Sequence, residues 1–344
     1  MNKLEITKWL KETDASKLAE LYEKANKIRF ENVGDDVHLR GLIEISNCCC
    51  RTCGYCGISA INSKLTRYRM KREEIIECAR KAVTLSYGTV VLQAGEDPGL
   101  DGKWIADIIR EIKDKTPLAV TLSLGERSNE EFQLWKDAGA DRYLLRFETS
   151  DETLFRKIHP PAPGQGYTNR IEILKTLKKI GYEAGSGVMI GIPGQTYETL
   201  ANDILTFKEL DLDMIGVGPY LPHPETPLGE EMSAGLKGEN QVPNIEEMVY
   251  KVIALTRIAA PESNIPSTTA LATINKATGR ELGLNRGANI VMPNLTPVEY
   301  RKYYEIYPSK ACIYETAEEC HGCLSGRIAS INRTVGKGTG SRNR

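Results

Sequence analysis

The chain has 344 residues, 41% of them hydrophobic and 26% charged, the balance of a globular protein able to bury a large core. With 45 basic and 46 acidic residues its formal charge is −1, which gives no overall electrostatic footprint for nucleic acid or an anionic membrane. No run approaches the roughly 20 apolar residues that span a bilayer. The opening MNKLEITKWLKETDASKLAELYEKANKIRF lacks the basic-then-apolar pattern of a secretory signal, so a cytoplasmic location is expected, with neither nucleic acid nor membrane as partner.

Residues 1–36 read as an amphipathic helical extension. Beyond them β-rich runs alternate with helical patterns. The strand candidates are HLRGLIEIS (38–46), TVVLQA (89–94), LAVTLSL (118–124), RYLLRFE (142–148), EAGSGVMIG (183–191), DMIGVG (213–218), NIPSTT (264–269) and ANIVMP (288–293). Between most of them lie segments such as REEIIECARKAVTL, GKWIADIIREIK, NEEFQLWKDAG, NRIEILKTLKKIG, YETLANDILTFKEL and IEEMVYKVIALTRIA, with apolar residues at helical spacing. Such alternation implies right-handed crossovers and a parallel sheet. Eight units point to an α/β fold, a closed (β/α)8 TIM barrel over 37–310, with an open doubly wound sheet as the alternative. The seventh and eighth runs are interrupted by Pro266 and Pro293. Residues 311–344 form a C-terminal segment whose end, NRTVGKGTGSRNR, reads as frayed.

In a barrel, catalytic groups sit at the C-terminal ends of strands and in the loops beyond them. Gln93, Glu96, Thr121, Ser123, Arg146, Glu148, Thr268, Thr269 and Met292 close their runs there, and so does ISNCCCRTCGYCGIS, which follows the first strand. In a reducing compartment nine cysteines are better read as metal ligands or catalytic thiols than as disulfides. Five lie at 48–56 and three at 312–323, while Cys78 stands alone as a packing residue. Within the first group Cys49-x3-Cys53-x2-Cys56, Cys50-x2-Cys53-x2-Cys56 and a zinc site completed from elsewhere all compete, and all share Cys53 and Cys56. By spacing, Cys312-x7-Cys320-x2-Cys323 suits zinc or an iron–sulfur cluster equally.

Cys49-x3-Cys53-x2-Cys56, with the aromatic Tyr55 before its last cysteine, resembles the signature of radical S-adenosylmethionine (SAM) enzymes. The resemblance implies that these three thiolates hold a [4Fe-4S] cluster with an open iron that chelates SAM, Cys48 and Cys50 being neighbours. Gln93-Ala94-Gly95-Glu96 resembles the family's glycine-glycine-glutamate motif at the methionine amino group, with Ala94 where the first glycine would stand. The stretch from Gly187, GVMIGIPGQT, resembles the strand-to-helix turn beside the adenine. Biotin synthase, a full-barrel member, takes sulfur from a second cluster held by cysteines of interior strands. LAVTLSL and RYLLRFE contain none, so that route is disfavoured.

A closer resemblance, over nearly the whole chain, is to the [FeFe]-hydrogenase maturase HydE family. It is carried by VVLQAGED, VTLSLGE, MIGIPGQT, DMIGVGPYLPHPETPL, SNIPSTTA, RGANIVMPNLTPVEYRKYYEIYPSKAC and the 312–323 cysteines, which match an optional second cluster site. It implies that Gln93, Ser123, Glu148 and Arg170 contact SAM, with Glu96 helping to shape the amino-group site. It further implies that Thr121, Arg146, Met214, Thr268, Thr269, Ala270, Met292 and Tyr307 face substrate in the lumen. Arg146 weighs most, as a buried guanidinium that needs an anionic partner. Met214 and Met292 are more often core fillers than substrate contacts, and the alternative for Glu148 and Arg170 is an ordinary ion pair at the rim. The implied substrate is a small organometallic, a cysteine-ligated iron synthon delivered by HydG, with HydF and an electron donor as further partners. Competing expectations are another small-molecule radical SAM barrel, such as a methylornithine-type mutase, and a non-catalytic metal scaffold.

Overall fold

The computed structural model describes residues 1–344 other than 162, 163, 165, 236, 237, 239, 343 and 344. The elements run α1 (Lys3–Lys11), α2 (Ala15–Val33), β1 (Asp36–Ser46), α3 (Arg72–Thr84), β2 (Thr89–Ala94), α4 (Gly102–Lys115), β3 (Ala119–Ser123), α5 (Asn129–Asp137) and β4 (Arg142–Leu144). There follow α6 (Glu152–Ile158), α7 (Arg170–Ile180), β5 (Glu183–Ile190), α8 (Tyr197–Glu209), β6 (Met214–Pro219), α9 (Pro227–Ser233), α10 (Glu246–Ala259) and α11 (Thr269–Ile274). The chain closes with α12 (Gly279–Asn285), β7 (Ile290–Val291), α13 (Val298–Arg301), α14 (Ala317–Ser330) and β8 (Thr334–Val335).

Local chemistry explains the long elements. In α4 the Asp101 carboxylate accepts the Lys103 and Trp104 N–H groups at the N-terminus, and Ile105, Ile108, Ile109 and Ile112 fall on one buried face. Each such side chain contributes about 1.5–3 kcal/mol on burial. α7, which begins with Arg170, is capped by Asn169 and ended by Gly181 at φ 99°. α1 and α2 pack on α8 and α10, and Lys251 of α10 donates to the Glu12 carbonyl at 2.5 Å. Among the described residues no helix is long and apolar enough to cross a membrane.

Strands β1 to β6 pair in sequence order, all parallel, and β7 pairs with the other side of β1. Sequential order excludes a doubly wound sheet, whose order reverses. The regular ladder is a curled parallel half-barrel and not the eight full strands expected. RYLLRFE pairs as a strand only over Arg142–Leu144, after which Glu148 takes a left-handed φ of 62° and touches β5 by a single bridge to Val188. NIPSTT forms no strand: Asn264 bridges Met214 and Pro266 bridges Ile290, one pair each. Proline has no N–H to extend that ladder.

The tail departs most from expectation. As far as Arg342 it is not frayed, residues 343 and 344 lying outside the described ones: β8 pairs with the start of β1, and the chain then runs beneath the N-terminal ends of the strands. The Thr339 carbonyl accepts from Thr89 Oγ1 (2.8 Å) and Arg142 Nη2 (3.2 Å), and the Gly340 carbonyl from Arg40 Nη2 (2.9 Å) and Asn264 Nδ2 (3.0 Å). Arg342 pairs with Asp211, Asp213 and Glu262 at the rim. Arg142 also pairs with Glu183 at 2.6 Å, and the tail's carbonyls supply the acceptors for Nη2 of both buried arginines.

A Cβ on Gly88 would lie 1.6 Å from the Gly338 carbonyl oxygen. Gly88→Ala is therefore expected to lift the tail, lowering the free energy of urea unfolding by about 1–3 kcal/mol and exposing residues 336–342 to limited proteolysis. Unchanged stability and protection would show that the tail is not seated there.

Candidate active site

The cysteine loop leaves the C-terminal end of β1, and residues 47–59 contain neither helix nor strand. It is held from outside. Arg67 donates to the carbonyls of Asn47 (2.7 Å) and Ile58 (2.6 Å) through Nη1 and to those of Ser59 (2.7 Å) and Asn62 (3.1 Å) through Nη2, fastening the two ends together. Gly54 N–H donates to the Ile158 carbonyl, Leu228 N–H to the Gly54 carbonyl and Gly57 N–H to the Ile306 carbonyl. Gly95 must be glycine: a Cβ there would stand 2.3 Å from the Cys48 carbonyl oxygen and 2.8 Å from Cys49 Cβ. Ala94 pairs with Ser46 in the ladder.

Cys49, Cys53 and Cys56 lie closely enough to feel one another's charge, and Arg170 favours the Cys53 thiolate as Arg67 does that of Cys56. Burial pushes the Cys49 and Cys53 thiols up and that of Cys56 up to about 12. Binding to iron reverses this, because a ligating thiol is deprotonated outright. A donor set of sulfur alone, with cations facing it, fits an anionic iron–sulfur cluster. Among the described residues no three His, Cys, Asp or Glu side chains converge on a single-ion site.

A buried charge network braces the loop. Arg51 lies between Cys50 and Cys53 and pairs with Glu96 (2.5 Å) and Glu126 (2.7 Å); Glu126 also pairs with Arg170 (2.7 Å) and accepts from Thr168 Oγ1. Glu96 uses its other oxygen to accept Glu126 N–H (3.0 Å), so both its oxygens are engaged by the chain. Burial raises the Glu96 pKa. Burial opposes the Glu126 charge too, but Arg170, Thr168 and Arg51 outweigh it and hold its carboxyl below the usual range. The rim ion pair is thus not Glu148 with Arg170: Glu148 pairs with Arg146 at 3.1 Å, and Arg170 with Glu126.

Beside the loop lies a cavity of about 280 Å³ that brings together Tyr55, Cys56, Arg146, Glu148, Thr268, Thr269, Ala270 and Tyr307, eight of the sequence-selected residues, with Tyr220, Leu221 and Ile306 also in its lining. Arg146 Nη2 donates to the Val188 carbonyl at 2.6 Å. Other selected residues stand apart from this cavity. Gln93 donates to the Tyr304 hydroxyl at 3.1 Å, next to Ser123 in the ladder. Thr121 is fully buried with its hydroxyl unpartnered. Met214 lies lower, its sulfur 2.9 Å from Arg40 Nη1, and Met292 follows β7 half-buried. Gly187 is required by close strands, since a Cβ there would lie 1.9 Å from the Gly216 carbonyl oxygen.

Cys312, Cys320 and Cys323 line a separate cavity of about 620 Å³ with Arg280, Lys310 and Arg327. The Cys320 thiol and Arg280 draw the Cys312 pKa down to about 6. Lys310 reaches from here to Glu44, with which it forms a buried ion pair. Sequence reasoning missed Arg51, Arg67, Glu126, His159, Tyr304 and Lys310. For Arg51 the signal was its place inside the cysteine run; the others come together only on folding.

Removing Glu126 leaves Arg170 buried without a carboxylate. Glu126→Ala is expected to cost about 3–5 kcal/mol of unfolding free energy. A depressed carboxyl pKa stabilises the fold above the ordinary glutamate value of 4.5. The wild-type advantage over Glu126→Ala should therefore be constant above that pH and shrink as pH falls below it, as read by denaturant titrations across pH.

Residues 43–206 match the model of the radical SAM superfamily. The chain is 48% identical over 324 residues to the [FeFe] hydrogenase maturase subunit HydE of Thermotoga maritima, covering 94% of this chain and 89% of that one. Among solved structures, methylornithine synthase superposes with a TM-score of 0.80 at 23% identity, over 98% of this chain and 94% of that one. The maturase HydG superposes at 0.78 with 20% identity, over 96% and 72%. The fold is therefore shared more widely than the sequence, and it is the identity to HydE, spread over almost the whole chain, that places this protein in the HydE family of the radical SAM superfamily.

Proposed function

We propose that this enzyme acts in [FeFe]-hydrogenase maturation by cleaving SAM reductively and turning the resulting radical on a sulfur-containing substrate, an iron-bound cysteine, inside the curled sheet. The observation that carries the reading is the loop itself: three thiols at the strand ends, with Cys56 and Tyr55 opening directly onto the Arg146 cavity. Cys49, Cys53 and Cys56 would hold a [4Fe-4S] cluster, which when bound supplies an electron to the SAM sulfonium and so releases a 5′-deoxyadenosyl radical.

The chain's own residues do the rest. Gln93, Ser123, Glu148 and Arg170 bind SAM; a guanidinium suits its carboxylate and a carboxylate suits its hydroxyls. Glu96 acts through Arg51 and the loop, and Gly95 lets the loop approach. Arg146, kept neutral as a pair by Glu148, has Nη1 without a hydrogen bond among the described residues and turns it to an anionic group of the substrate. Thr268 accepts the Leu271 N–H, which leaves its own proton to donate to substrate. Tyr220, Leu221 and Ile306 exclude water from a site where a carbon radical must meet no stray hydrogen donor. Thr121, Thr269, Ala270, Met214, Met292 and Tyr307 complete the lumen wall.

We further infer that the bridges at Asn264 and Pro266 close the arc into a full barrel over 37–310, which residues 1–36 buttress from outside. Cys312, Cys320 and Cys323 hold an accessory iron–sulfur cluster of structural role, favoured by the cations around their cavity. HydG as supplier, HydF as acceptor, an electron donor and a cytoplasmic setting follow from the family.

Anaerobic reconstitution with iron and sulfide, then dithionite and SAM, tests this through 5′-deoxyadenosine. Cys49→Ala, Cys53→Ala and Cys56→Ala should fall to background and Cys50→Ala should retain activity. No product from the wild type would overturn the enzyme reading, and activity lost at Cys50 but kept at Cys49 would overturn the ligand set.

A further inference from the structure

His159 directly follows α6, is 2% exposed, and has no part in the family resemblance described above. Its Nε2 faces Arg170 Nη2 at hydrogen-bonding distance. A guanidinium only donates, so Nε2 is the acceptor and the ring is the neutral tautomer with its proton on Nδ1. Burial, then Arg170 and Arg51, push the imidazolium pKa down to about 2, which agrees with that tautomer.

The other two nitrogens of Arg170 are also engaged, Nε donating to Glu126 Oε1 and Nη1 to the Arg146 carbonyl, both at 2.7 Å, which leaves one N–H on each Nη for a ligand. His159 is in turn tied to the cysteine loop twice. Its ring stacks on Phe155 (5.1 Å, 11°) and leans on Tyr55 (6.4 Å, 39°), and the preceding carbonyl, of Ile158, accepts Gly54 N–H at 2.9 Å. Arg51 and Arg170 are already balanced by Glu96 and Glu126. A further carboxylate at 159 would add negative charge beside thiolates, whereas an imidazole fixes the direction of Arg170 and adds none.

We propose that His159 is a positioning residue for SAM: a neutral acceptor that locks the Arg170 guanidinium in register with the Cys53–Cys56 turn. The proposal rests on the reading of Arg170 as the SAM carboxylate contact. It implies that His159→Phe, which keeps the ring and loses the acceptor, weakens SAM binding more than turnover, while His159→Gln, which keeps an acceptor, restores binding.

The test has two parts. In the unloaded protein, ¹⁵N-histidine NMR should show one imidazole in the Nδ1–H tautomer that does not titrate between about pH 5.5 and 8.5 and that disappears in His159→Phe. The opposite tautomer, or a titration near the ordinary imidazole value, would overturn the proposal. In the reconstituted enzyme, His159→Phe should keep its iron content, raise the KM for SAM about tenfold and change kcat little, with His159→Gln close to wild type. An unchanged KM, equal losses in both variants, or loss of iron would overturn it. Arg170→Gln separates the two readings. If it raises the KM for SAM while His159→Phe does not, only the His159 role falls; if it leaves the KM unchanged, the Arg170 reading and the proposal fall together.

Discussion

A loop that presents thiols cannot satisfy its own main chain. Residues 47–59 form no helix or strand, yet most of that stretch is buried or half-buried, so its polar groups must find partners elsewhere. They find them on the Arg67 guanidinium and on segments as distant as Ile158, Leu228 and Ile306. Each fastening is an ordinary hydrogen bond worth about 1 kcal/mol. Their value lies in number and in the variety of their origins: the loop keeps its shape only when several upper loops are already in place. The cluster site is in this sense a property of the whole upper face and not of the cysteine motif.

The charges follow the same logic. Arg51, Glu96, Glu126 and Arg170 are all largely buried, and burying ions costs roughly what their pairing returns. Such a network adds little net stability but is intolerant of any misplaced member. It therefore fixes where Arg170 stands relative to Cys53, which hydrophobic packing could not do to the same tolerance. His159 extends the arrangement by one neutral link, from the guanidinium to the aromatic ring of the cysteine turn.

Much of this was legible beforehand, for physical reasons that differ by element. β1, β2, β3, β5 and β6 are runs of buried β-branched and small residues, and α3, α4, α5, α7, α8 and α10 carry plain helical periodicity. RYLLRFE misled because its apolar content reports burial, while the backbone leaves the ladder so that Glu148 can turn into the cavity. NIPSTT misled because strand-like composition does not ensure a ladder where proline interrupts it, whereas ANIVMP does hold a strand, the two-residue β7 that pairs with β1. Cys49, Cys53 and Cys56 were visible because one short window holds them all. Glu126, His159 and Tyr304 were not, because nothing local distinguishes a glutamate that spans two arginines from one in solvent; the partners lie far away along the chain. The tail reversed a compositional rule: its glycines and polar residues, which usually signal disorder, are what let the backbone pass close beneath β2 and offer bare carbonyls to Arg40 and Arg142.

That floor bears on how the molecule comes into being. Thr334 Oγ1 meets Asp36 298 positions away along the chain, so the start of β1 waits for residues made long after it. Contacts of such separation form slowly and late. Until they form, Arg40 Nη2 and Arg142 Nη2 lack the acceptors that the tail supplies, and the underside of the sheet stands open to water. The upper face, whose fastenings extend only to Ile306, can be complete before the underside is sealed. The folding chain thus passes through a stage with its upper loops fastened and its interior still wet from below, and the closing of the floor decides when the chamber becomes dry.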